Sequence, residues 1–555
     1  MVSGPHPDVS EEETPDAFGA YPRLTGPQLQ ALSEHGVREH VSAGQVLARA
    51  GEPPGSFFAV VEGRVIVDDV ALDREDVRAE VHGPGRFVGD IGLLEGQPSF
   101  ATITALEDGT VLAVPIPALE RIVTSDPVLG DLILRAYLIR RSMAIGSGAG
   151  LRIVGSRFSP ETRRLLDFAA LNRIPHRLVD LDADQTAEII VQRLRLDIAD
   201  LPVVIVAGSR ILRNPSIVEV SKALGIGSTR PRPTCDLLIV GAGPAGLAAA
   251  VYAASDGLSV VLSDAIATGG QAARSARIEN YLGFPAGISG AELAELARLQ
   301  AVKFGATVFA PADARGLDSA GGALTIRFSD GTTISPRAVV VSSGMEYRRL
   351  GAKNLDRFEY TSVYYAATIN EARECGTDPV VVVGGGNSAG QAAVFLARSA
   401  SRVHLVVRGA DLRHDMSRYL VVQVEDHPRI TVHLQSEVVE AAGGNRLESV
   451  TVENRRSGAR EELATAHLFV FIGAIPATAW LGPDIDRDER GFLLTGARSG
   501  AIDSRTQRFE TSVPGVFAVG DVRSGSVKRM SAAVGEGASV VKMVHDYLAT
   551  GGSRH

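Results

Sequence analysis

Two glycine-rich turns in the second half of the chain have the residue types and spacing to bind phosphate groups. The first reads GAGPAG and follows the apolar run LLIV. In such a turn the first glycine allows a sharp bend, the second lets the backbone approach a pyrophosphate, and the third lets the next helix pack on the strand. The N–H groups at the start of that helix face the phosphates. The sequence therefore predicts a dinucleotide site at Gly241, Gly243, Pro244, Ala245 and Gly246.

An acidic residue follows this turn at the distance expected for a ribose contact. The strand SVVLSD ends at Asp264, 23 residues after Gly241. A carboxylate about 20 residues beyond the glycines commonly binds a ribose hydroxyl. A free hydroxyl suits FAD, so we assign the first site to FAD and Asp264 to its ribose.

The second turn, GGGNSAG, is followed by arginines instead of an acid. Gly384, Gly386 and Ala389 form the G-x-G-x-x-A pattern around Asn387 and Ser388. The next strand ends at Arg408, and Arg413 follows. Arginine pairs well with a 2′-phosphate, so these residues predict an NADPH site. The alternative is that both arginines are ordinary surface charges.

The elements around both turns could be mistaken for membrane spans. Residues 237–255 and 379–397 carry no charged side chain, and each stretch is 19 residues long. However, each opens with a β-branched run, breaks at glycines and continues as an alanine-rich segment. This order predicts a buried parallel strand followed by a helix. We therefore expect one βαβ design used twice and no membrane segment.

Composition narrows the remaining possibilities. At about 150 residues per domain, 555 residues predict three to four domains. A net charge of −9 argues against a nucleic-acid partner, and two cysteines exclude a disulfide scaffold. The histidines show no metal-ligand spacing, so no metal site is predicted. The acidic N-terminus lacks an apolar signal segment, so residues 1–24 are predicted to be a disordered lead-in to a cytoplasmic protein.

Further motifs extend the pattern around the two turns. They are TGGQ with Gly270 and Gln271, IENYLGFP with Asn280, FVFIGAIPAT with Gly473, and TSVPGVFAVGDV with Gly520 and Asp521. With these motifs the chain from about 233 to 555 resembles the low-molecular-weight thioredoxin reductases. The resemblance implies a homodimer and an FAD domain (229–351 and 478–555) interrupted by an NADPH domain (352–477). It also implies that Gly270, Gln271, Asn280, Gly520 and Asp521 contact FAD, that Gly473 lies at the return from the NADPH domain, and that Lys528 or Arg529 lies near the flavin.

The chain departs from that family at the redox centre. Where the family has C-A-T-C, this sequence has AATI, with Ala366 and Ile369 in the cysteine positions. Neither side chain can act as a nucleophile, so no catalytic residue is assigned there. Cys235 is predicted to be buried beside the first strand, and Cys375 to lie in the polar turn before the second dinucleotide strand as a surface thiol.

Without a dithiol, the flavin must pass its electrons outside the chain. The acceptors left open are a ferredoxin- or flavodoxin-like protein, a quinone, and a disulfide carried by a partner. The rival hypothesis is a sensor that binds flavin or NADPH with little turnover and is regulated through its N-terminal domain.

The first 230 residues resemble two other families. Residues 25–145 read as a β-roll, and FVGDIGLLEGQPSFATITA resembles the phosphate-binding cassette of cyclic-nucleotide-binding domains. The candidate ligand residues are Gly89, Asp90 and Ser99. In that family Asp90 is a glutamate and Ser99 an arginine, and serine cannot replace a guanidinium opposite a phosphate. Binding of a cyclic nucleotide, binding of another small effector, and a docking role all stay open.

Residues 150–228 resemble a glutaredoxin or thioredoxin-like fold without cysteines. Its strands and helices are predicted in the order β-α-β, then β-β-α, with Pro202 opening a strand in either the cis or the trans form. The predicted fold class is thus multidomain: a β-roll, an α/β thioredoxin-like middle domain, and an α/β flavoprotein reductase with two Rossmann-type dinucleotide-binding domains.

Overall fold

The structure is a computed structural model. It describes residues 12–69, 79–89, 91–94, 97–147, 150–157, 159–206, 210–226, 231–275, 278, 281–319, 322–358, 362–365, 375–444, 446–496 and 508–550. The chain divides into two compact units, residues 1–156 with 165–230, and residues 157–164 with 231–555.

The first unit begins with a β-roll. Its strands are β1 Val37–Val41, β2 Val46–Ala48, β3 Ser56–Glu62, β4 Val65–Asp69, β5 Ala79–His82, β6 Ala101–Ala105 and β7 Gly109–Pro115; its helices are α1 Gly26–Ser33, α2 Ile91–Leu94, α3 Ile116–Ser125 and α4 Pro127–Ser147. The strands form two antiparallel sheets, in the orders β1-β7-β3 and β2-β6-β4-β5. The predicted β-roll is therefore confirmed, and apolar side chains from both sheets fill its core.

The segment before the β-roll is ordered from residue 12 onward. Ala20, Tyr21 and Leu24 are buried, and Thr14 exchanges hydrogen bonds with the backbone of Val81 in β5. The prediction of a disordered lead-in is therefore wrong for residues 12–24. Its acidic, proline-rich composition concealed three apolar side chains that cover the roll.

The second part of this unit is a small α/β fold. Its strands are β8 Leu151–Gly155, β9 His176–Asp180, β10 Val203–Val206 and β11 Arg210–Arg213; its helices are α5 Pro160–Leu171, α6 Gln185–Leu194, α7 Ile217–Ala223 and a short 3-10 turn Ile198–Asp200. The sheet order is β9-β8-β10-β11, with β8 and β9 parallel and the other pairs antiparallel. The Leu201–Pro202 peptide bond is cis.

The second unit contains a sheet that carries the first glycine turn. Its strands are β12 Thr234–Val240, β13 Val260–Ser263, β14 Thr307–Phe309, β15 Ala314–Asp318, β16 Thr325–Phe328, β17 Thr333–Val341 and, from the end of the chain, Val516–Ala518. Its helices are α8 Pro244–Ser255, α9 Gly270–Ala273 and α10 Gly290–Lys303. The strands β14-β13-β12-β17 are parallel, and Val516–Ala518 adds a further parallel strand beside β17.

A second parallel sheet is inserted between the two parts of the first. After β18 Met345–Tyr347 come β19 Val363–Tyr364, β20 Val380–Val383, β21 Val403–Val406, β22 Ile430–His433, β23 Ser436–Ala442, β24 Ser449–Asn454, β25 Arg460–Ala464, β26 His467–Val470 and β27 Ala474–Pro476, with helices α11 Asn387–Leu396 and α12 Arg418–Glu425 and 3-10 turns at Leu355–Phe358 and Leu412–His414. The chain then returns to the first sheet with the strand Val516–Ala518 (β28), a 3-10 turn at Gly520–Val522 and helix α13 Met530–Ala549. Strands β19-β26-β20-β21-β22 are parallel, and β18 pairs with β27 where the chain enters and leaves the insertion.

The two uncharged stretches fold as the sequence predicts. Residues 237–255 form most of β12, the glycine turn and α8, and residues 379–397 form β20, the second turn and α11. Among the described residues, no helix is long and apolar enough to cross a membrane. Burial of β-branched side chains on both faces of a parallel sheet explains the missing charge.

Candidate cofactor sites

The first glycine turn is shaped by close backbone contacts. Gly241 has φ +105°, and a Cβ there would lie 2.3 Å from the carbonyl oxygen of Ser342. A Cβ on Gly246 would lie 1.9 Å from the oxygen of Gly241. Gly243 differs, because a Cβ there would meet no atom within 4 Å. The turn is therefore tight on its protein side and open in front of Gly243, at the N-terminus of α8.

Asp264 holds this turn through backbone hydrogen bonds. Its Oδ2 accepts from the N–H of Ala242 at 2.8 Å, and its Oδ1 accepts from Ile266 and Ala267 at 3.1 and 3.3 Å. Burial nevertheless raises the pKa of the carboxyl group. The structure thus gives Asp264 a role in fixing the turn, and its contact with a ribose stays a prediction.

The C-terminal motif lies against the same turn. A Cβ on Gly520 would lie 2.9 Å from the Cβ of Ala245, and one on Gly537 would lie 2.1 Å from the oxygen of Ala245. Close packing of α13 on α8 therefore brings Asp521 to the start of α8. Burial raises the pKa of Asp521, and the charge of Lys528 opposes that rise.

Glu536 anchors this motif, although it belongs to none of the sequence motifs. Its Oε2 accepts from the N–H of Gly520 at 2.7 Å, and its carboxylate pairs with Arg523. Both side chains are nearly buried, with exposed fractions of 13% and 12%. The one sequence feature that could have identified Glu536 is that it is the single acidic residue in the glycine- and alanine-rich start of α13.

Lys528 points back to the cofactor motif. Its Nζ donates to the carbonyl oxygen of Asp521 and to Oγ of Ser526, and it lies 4.5 Å from the ring centre of Phe492. Burial lowers the pKa of Lys528. These contacts favour the predicted position near the flavin over a solvated surface charge. Arg529 is the residue immediately before α13.

These residues fit the adenine dinucleotide part of FAD. The free space in front of Gly243 lies at the N-terminus of α8, which is where a pyrophosphate would bind, because a helix N-terminus favours anions. The turn at residues 269–270 borders this free space on one side, since a Cβ on Gly270 would lie 3.0 Å from Cα of Gly243. Gln271 lies beside β18, with its Nε2 3.5 Å from the oxygen of Met345.

The second glycine turn repeats this design. Gly384 has φ +145°, and a Cβ there would lie 2.4 Å from the oxygen of Phe471. Gly386 precedes α11, and Ala389 is buried under it. Asn387 accepts a 2.7 Å hydrogen bond from the N–H of Ser417, which ties the turn to the segment after Arg408. Ser388 is exposed at the helix start, and Gly473, with φ +93°, lies at the return from the insertion.

The two predicted phosphate-binding arginines differ in their contacts. Arg413 donates to Asp411 at 3.2 Å and to both carboxylate oxygens of Glu425 at 3.1 and 3.2 Å. Arg408 is exposed at the end of β21 and has no ion pair within the described part of the chain. We therefore expect Arg408 to carry most of the preference for a 2′-phosphate.

Arg408→Ala is expected to lower the preference for NADPH over NADH by about 10-fold, because a charge-assisted hydrogen bond to the 2′-phosphate is lost. Arg413→Ala should lower it by about 3-fold or less, since its guanidinium is already shared with two carboxylates. The ratio of kcat/KM for the two nucleotides measures both effects. Equal losses in the two variants would show that Arg413 leaves its carboxylates to bind the phosphate.

The two cysteines lie in different hydrophobic cores. Cys235 belongs to the core under β12, and Cys375 to the core under β20. Neither forms a disulfide, and burial raises the pKa of Cys235 to about 12, with a smaller contribution from Asp236. Cys375 is only 2% exposed, so the prediction that it lies at the surface is wrong. The polar sequence around it concealed a side chain that faces the sheet.

Cys235→Ala and Cys375→Ala are each expected to leave the rate of NADPH oxidation within about 2-fold of wild type, because a thiol buried in an apolar core is a poor nucleophile. Steady-state turnover with ferricyanide measures this. A loss of turnover in a variant that keeps its flavin and its melting temperature would assign that thiol a redox role.

Some predicted residues lie outside the described part of the chain. They are Asp90, Asn280, Ala366 and Ile369, and their assignments stay predictions.

Comparison with known proteins identifies the reductase half of the chain. The sequence profile of the pyridine nucleotide-disulphide oxidoreductases matches residues 235–537, more than half of the chain. The chain belongs to this family. As a member it is an FAD-dependent NADPH oxidoreductase. The profile of the cyclic nucleotide-binding domain matches residues 38–126, which form the β-roll.

Individual relatives of this oxidoreductase are mostly thioredoxin reductases. That of Streptomyces clavuligerus is 33% identical over 315 residues, which make up 57% of this chain and 94% of the relative. A 34.2 kDa protein in the rubredoxin operon of Clostridium pasteurianum is 30% identical over 321 residues, 56% of this chain and 97% of that protein. The crystal structure of T. acidophilum thioredoxin reductase has 29% identity and a TM-score of 0.48, covering 57% of this chain and all of the other.

The candidate ligand residues of the β-roll make contacts within the protein. The carbonyl oxygen of Gly89 accepts a 2.7 Å hydrogen bond from Arg140, a buried residue of α4. The hydroxyl of Ser99 donates to the backbone oxygen of Ala101 at 2.7 Å. Ser99 therefore stabilises its own turn and presents no charge to a phosphate.

Proposed function

We propose that this oxidoreductase passes electrons from NADPH through FAD directly to an acceptor outside the chain. The observation that carries the proposal is the position of its only two cysteines, which lie buried in two separate cores. Ala366 and Ile369 stand where the thioredoxin reductases have their redox pair, and thiol–disulfide exchange requires a thiolate. An internal dithiol relay is therefore missing.

The protein's own residues would bind and orient the cofactors. The N-terminus of α8 would hold the pyrophosphate in front of Gly243, and Glu536 keeps the Gly520 turn against α8. Lys528 places a positive charge beside Asp521, where it would stabilise negative charge. Arg408 would select NADPH at the second turn. When bound, FAD supplies the hydride and electron-transfer chemistry.

Steady-state turnover with a panel of acceptors tests this function. NADPH oxidation should be supported by a quinone, a ferredoxin or ferricyanide and should not be supported by thioredoxin. The matched control is a thioredoxin reductase with an intact cysteine pair, assayed in the same buffer. Thioredoxin reduction by this chain that is lost when both Cys235 and Cys375 are replaced by alanine would reveal an internal thiol relay and overturn the proposal.

A regulatory role of the first unit is the second candidate, and contacts of the cassette segment favour it. Arg141 of α4 donates to Oε1 of Gln97 at 3.4 Å and to the backbone oxygen of Arg173 at 3.1 Å. Phe100 and Ala50 pack on the core of the α/β fold that follows. The cassette segment, which is predicted to bind a ligand, thus lies in direct contact with the α/β fold that follows the β-roll. We propose that an effector bound to the cassette acts on the α/β fold through these contacts.

The α/β fold between the β-roll and the reductase is proposed to be thioredoxin-like. The mixed sheet order β9-β8-β10-β11 and the β-α-β-α-β-β-α sequence of elements support this proposal. The segment contains no cysteine, so it would bind or transmit rather than exchange disulfides. We also propose that the protein forms a homodimer and is located in the cytoplasm.

Cyclic AMP and cyclic GMP are expected to leave the melting temperature of the protein unchanged, because Ser99 offers no charge to the cyclic phosphate. Ser99→Arg should create a measurable upward shift, since it restores a guanidinium at that position. Differential scanning fluorimetry checks both. A shift in the wild-type protein that Ser99→Ala removes would assign cyclic nucleotide as the effector.

A further inference from the structure

A pair of stacked tyrosines lies next to the segment that lacks the redox cysteines. The rings of Tyr347 and Tyr365 are 5.9 Å apart between centres and 12° from parallel. Tyr347 ends β18, and Tyr365 directly precedes Ala366 in the sequence. Tyr365 packs on the core of the inserted domain. Tyr347 lies on the outer side of the pair and is 37% exposed.

The same pair is close to the residues assigned to the flavin. Met345, two residues before Tyr347, contacts Gln271 through its carbonyl oxygen. The charges of Arg274, shortly after the TGGQ loop, and of Asp521 in the C-terminal motif act on the Tyr347 hydroxyl in opposite directions. Burial raises the pKa of Tyr347, so its O–H stays protonated and able to donate a hydrogen bond at neutral pH.

Building on the proposed function, we propose that Tyr347, backed by Tyr365, is the binding platform for a quinone-class electron acceptor. A planar ring stacks favourably on a tyrosine face, and a quinone carbonyl accepts a hydrogen bond from a phenol. The net reaction balances without a thiol. NADPH supplies a hydride, solvent supplies one proton, and the quinone takes up two electrons and two protons to become the hydroquinone while NADP⁺ is released.

The geometry favours a small planar acceptor over a protein one. Tyr347 presents one partly buried aromatic face and a protonated hydroxyl, and these features match a ring with a carbonyl group. An iron–sulfur or flavin protein would need a larger docking area than one ring supplies. Turnover with such a protein is therefore expected to be independent of Tyr347.

Two substitutions at Tyr347 separate its ring from its hydroxyl. Tyr347→Phe keeps the stacking face and should raise the KM for a water-soluble benzoquinone about 3-fold. Tyr347→Leu removes both features and should raise it about 10-fold. Tyr252→Leu is the matched control, because Tyr252 is an exposed tyrosine on α8 and should change nothing. Ferricyanide turnover, which needs no ring platform, should stay within about 2-fold in all three variants.

A binding measurement adds a readout that does not depend on turnover. Calorimetric titration of the oxidised holoenzyme with the corresponding benzohydroquinone should show weaker binding in the order wild type, Tyr347→Phe, Tyr347→Leu. Unchanged quinone KM and unchanged hydroquinone affinity in Tyr347→Leu would overturn the platform. Failure of NADPH to bleach the flavin in the wild-type protein would instead refute the proposed function itself.

Discussion

Gly243→Asp is expected to fold like the wild-type protein and to lose FAD. The backbone at Gly243 has φ −71°, which any residue adopts, and a Cβ there meets open space, so folding should be unaffected. The aspartate would place a negative charge where the pyrophosphate must lie. Like charges a few ångströms apart at a protein surface cost several kcal/mol, so FAD affinity should fall about 100-fold or more.

Flavin content after purification and FAD titration of the apoprotein measure this effect. Gly351→Asp is the matched control, since a Cβ on Gly351 also meets open space and Gly351 belongs to neither glycine turn. It should keep its flavin. If Gly243→Asp retained FAD with wild-type affinity, the pyrophosphate would have to bind elsewhere, and the assignment of the first turn would be wrong.

Glu536→Ala is expected to destabilise the reductase unit by about 3 kcal/mol, because it leaves the nearly buried guanidinium of Arg523 without its partner. It also removes the acceptor for the N–H of Gly520, so the C-terminal motif should loosen and FAD should dissociate more readily. Denaturation followed by flavin fluorescence reports the change in the free energy of unfolding and the release of FAD together.

Lys542→Ala on the same helix provides the comparison for Glu536→Ala. Its pair with Asp546 is largely exposed and should contribute less than about 0.5 kcal/mol. Glu536→Gln should recover part of the loss, since its amide oxygen can still accept from Gly520. Equal stability of Glu536→Ala and Lys542→Ala would mean that the Arg523 pair contributes no more than a surface contact.

The glycine turns were predictable because their sequence is dictated by backbone geometry. Gly241 and Gly384 need positive φ and close carbonyl neighbours, and no other residue type meets both conditions. The same reasoning separated the uncharged stretches from membrane spans. The order strand, glycine turn, helix is set by residues that are close together in the sequence. The sequence alone was therefore sufficient to predict these elements.

Long-range contacts explain what the sequence did not reveal. Glu536 meets Gly520 and Arg523 only because α13 packs on α8, and nothing local marks it. Arg408 and Arg413 carry the same sequence signal, and only the pairing of Arg413 with Glu425, twelve residues further on, distinguishes them. The burial of Cys375 and of the apolar side chains in residues 12–24 was predicted wrongly for the same reason. Their neighbours in sequence are polar, but their own side chains face a core formed by distant strands.

An anaerobic titration of the flavin with NADPH tests the central claim most directly. An enzyme with a redox disulfide stores four electrons, two in the flavin and two in the dithiol, whereas this chain should store only two. We predict that about one equivalent of NADPH per flavin fully bleaches the visible flavin band, and that the Cys235→Ala, Cys375→Ala double variant behaves identically. A requirement for two equivalents in the wild-type protein, reduced to one in the double variant, would contradict the account.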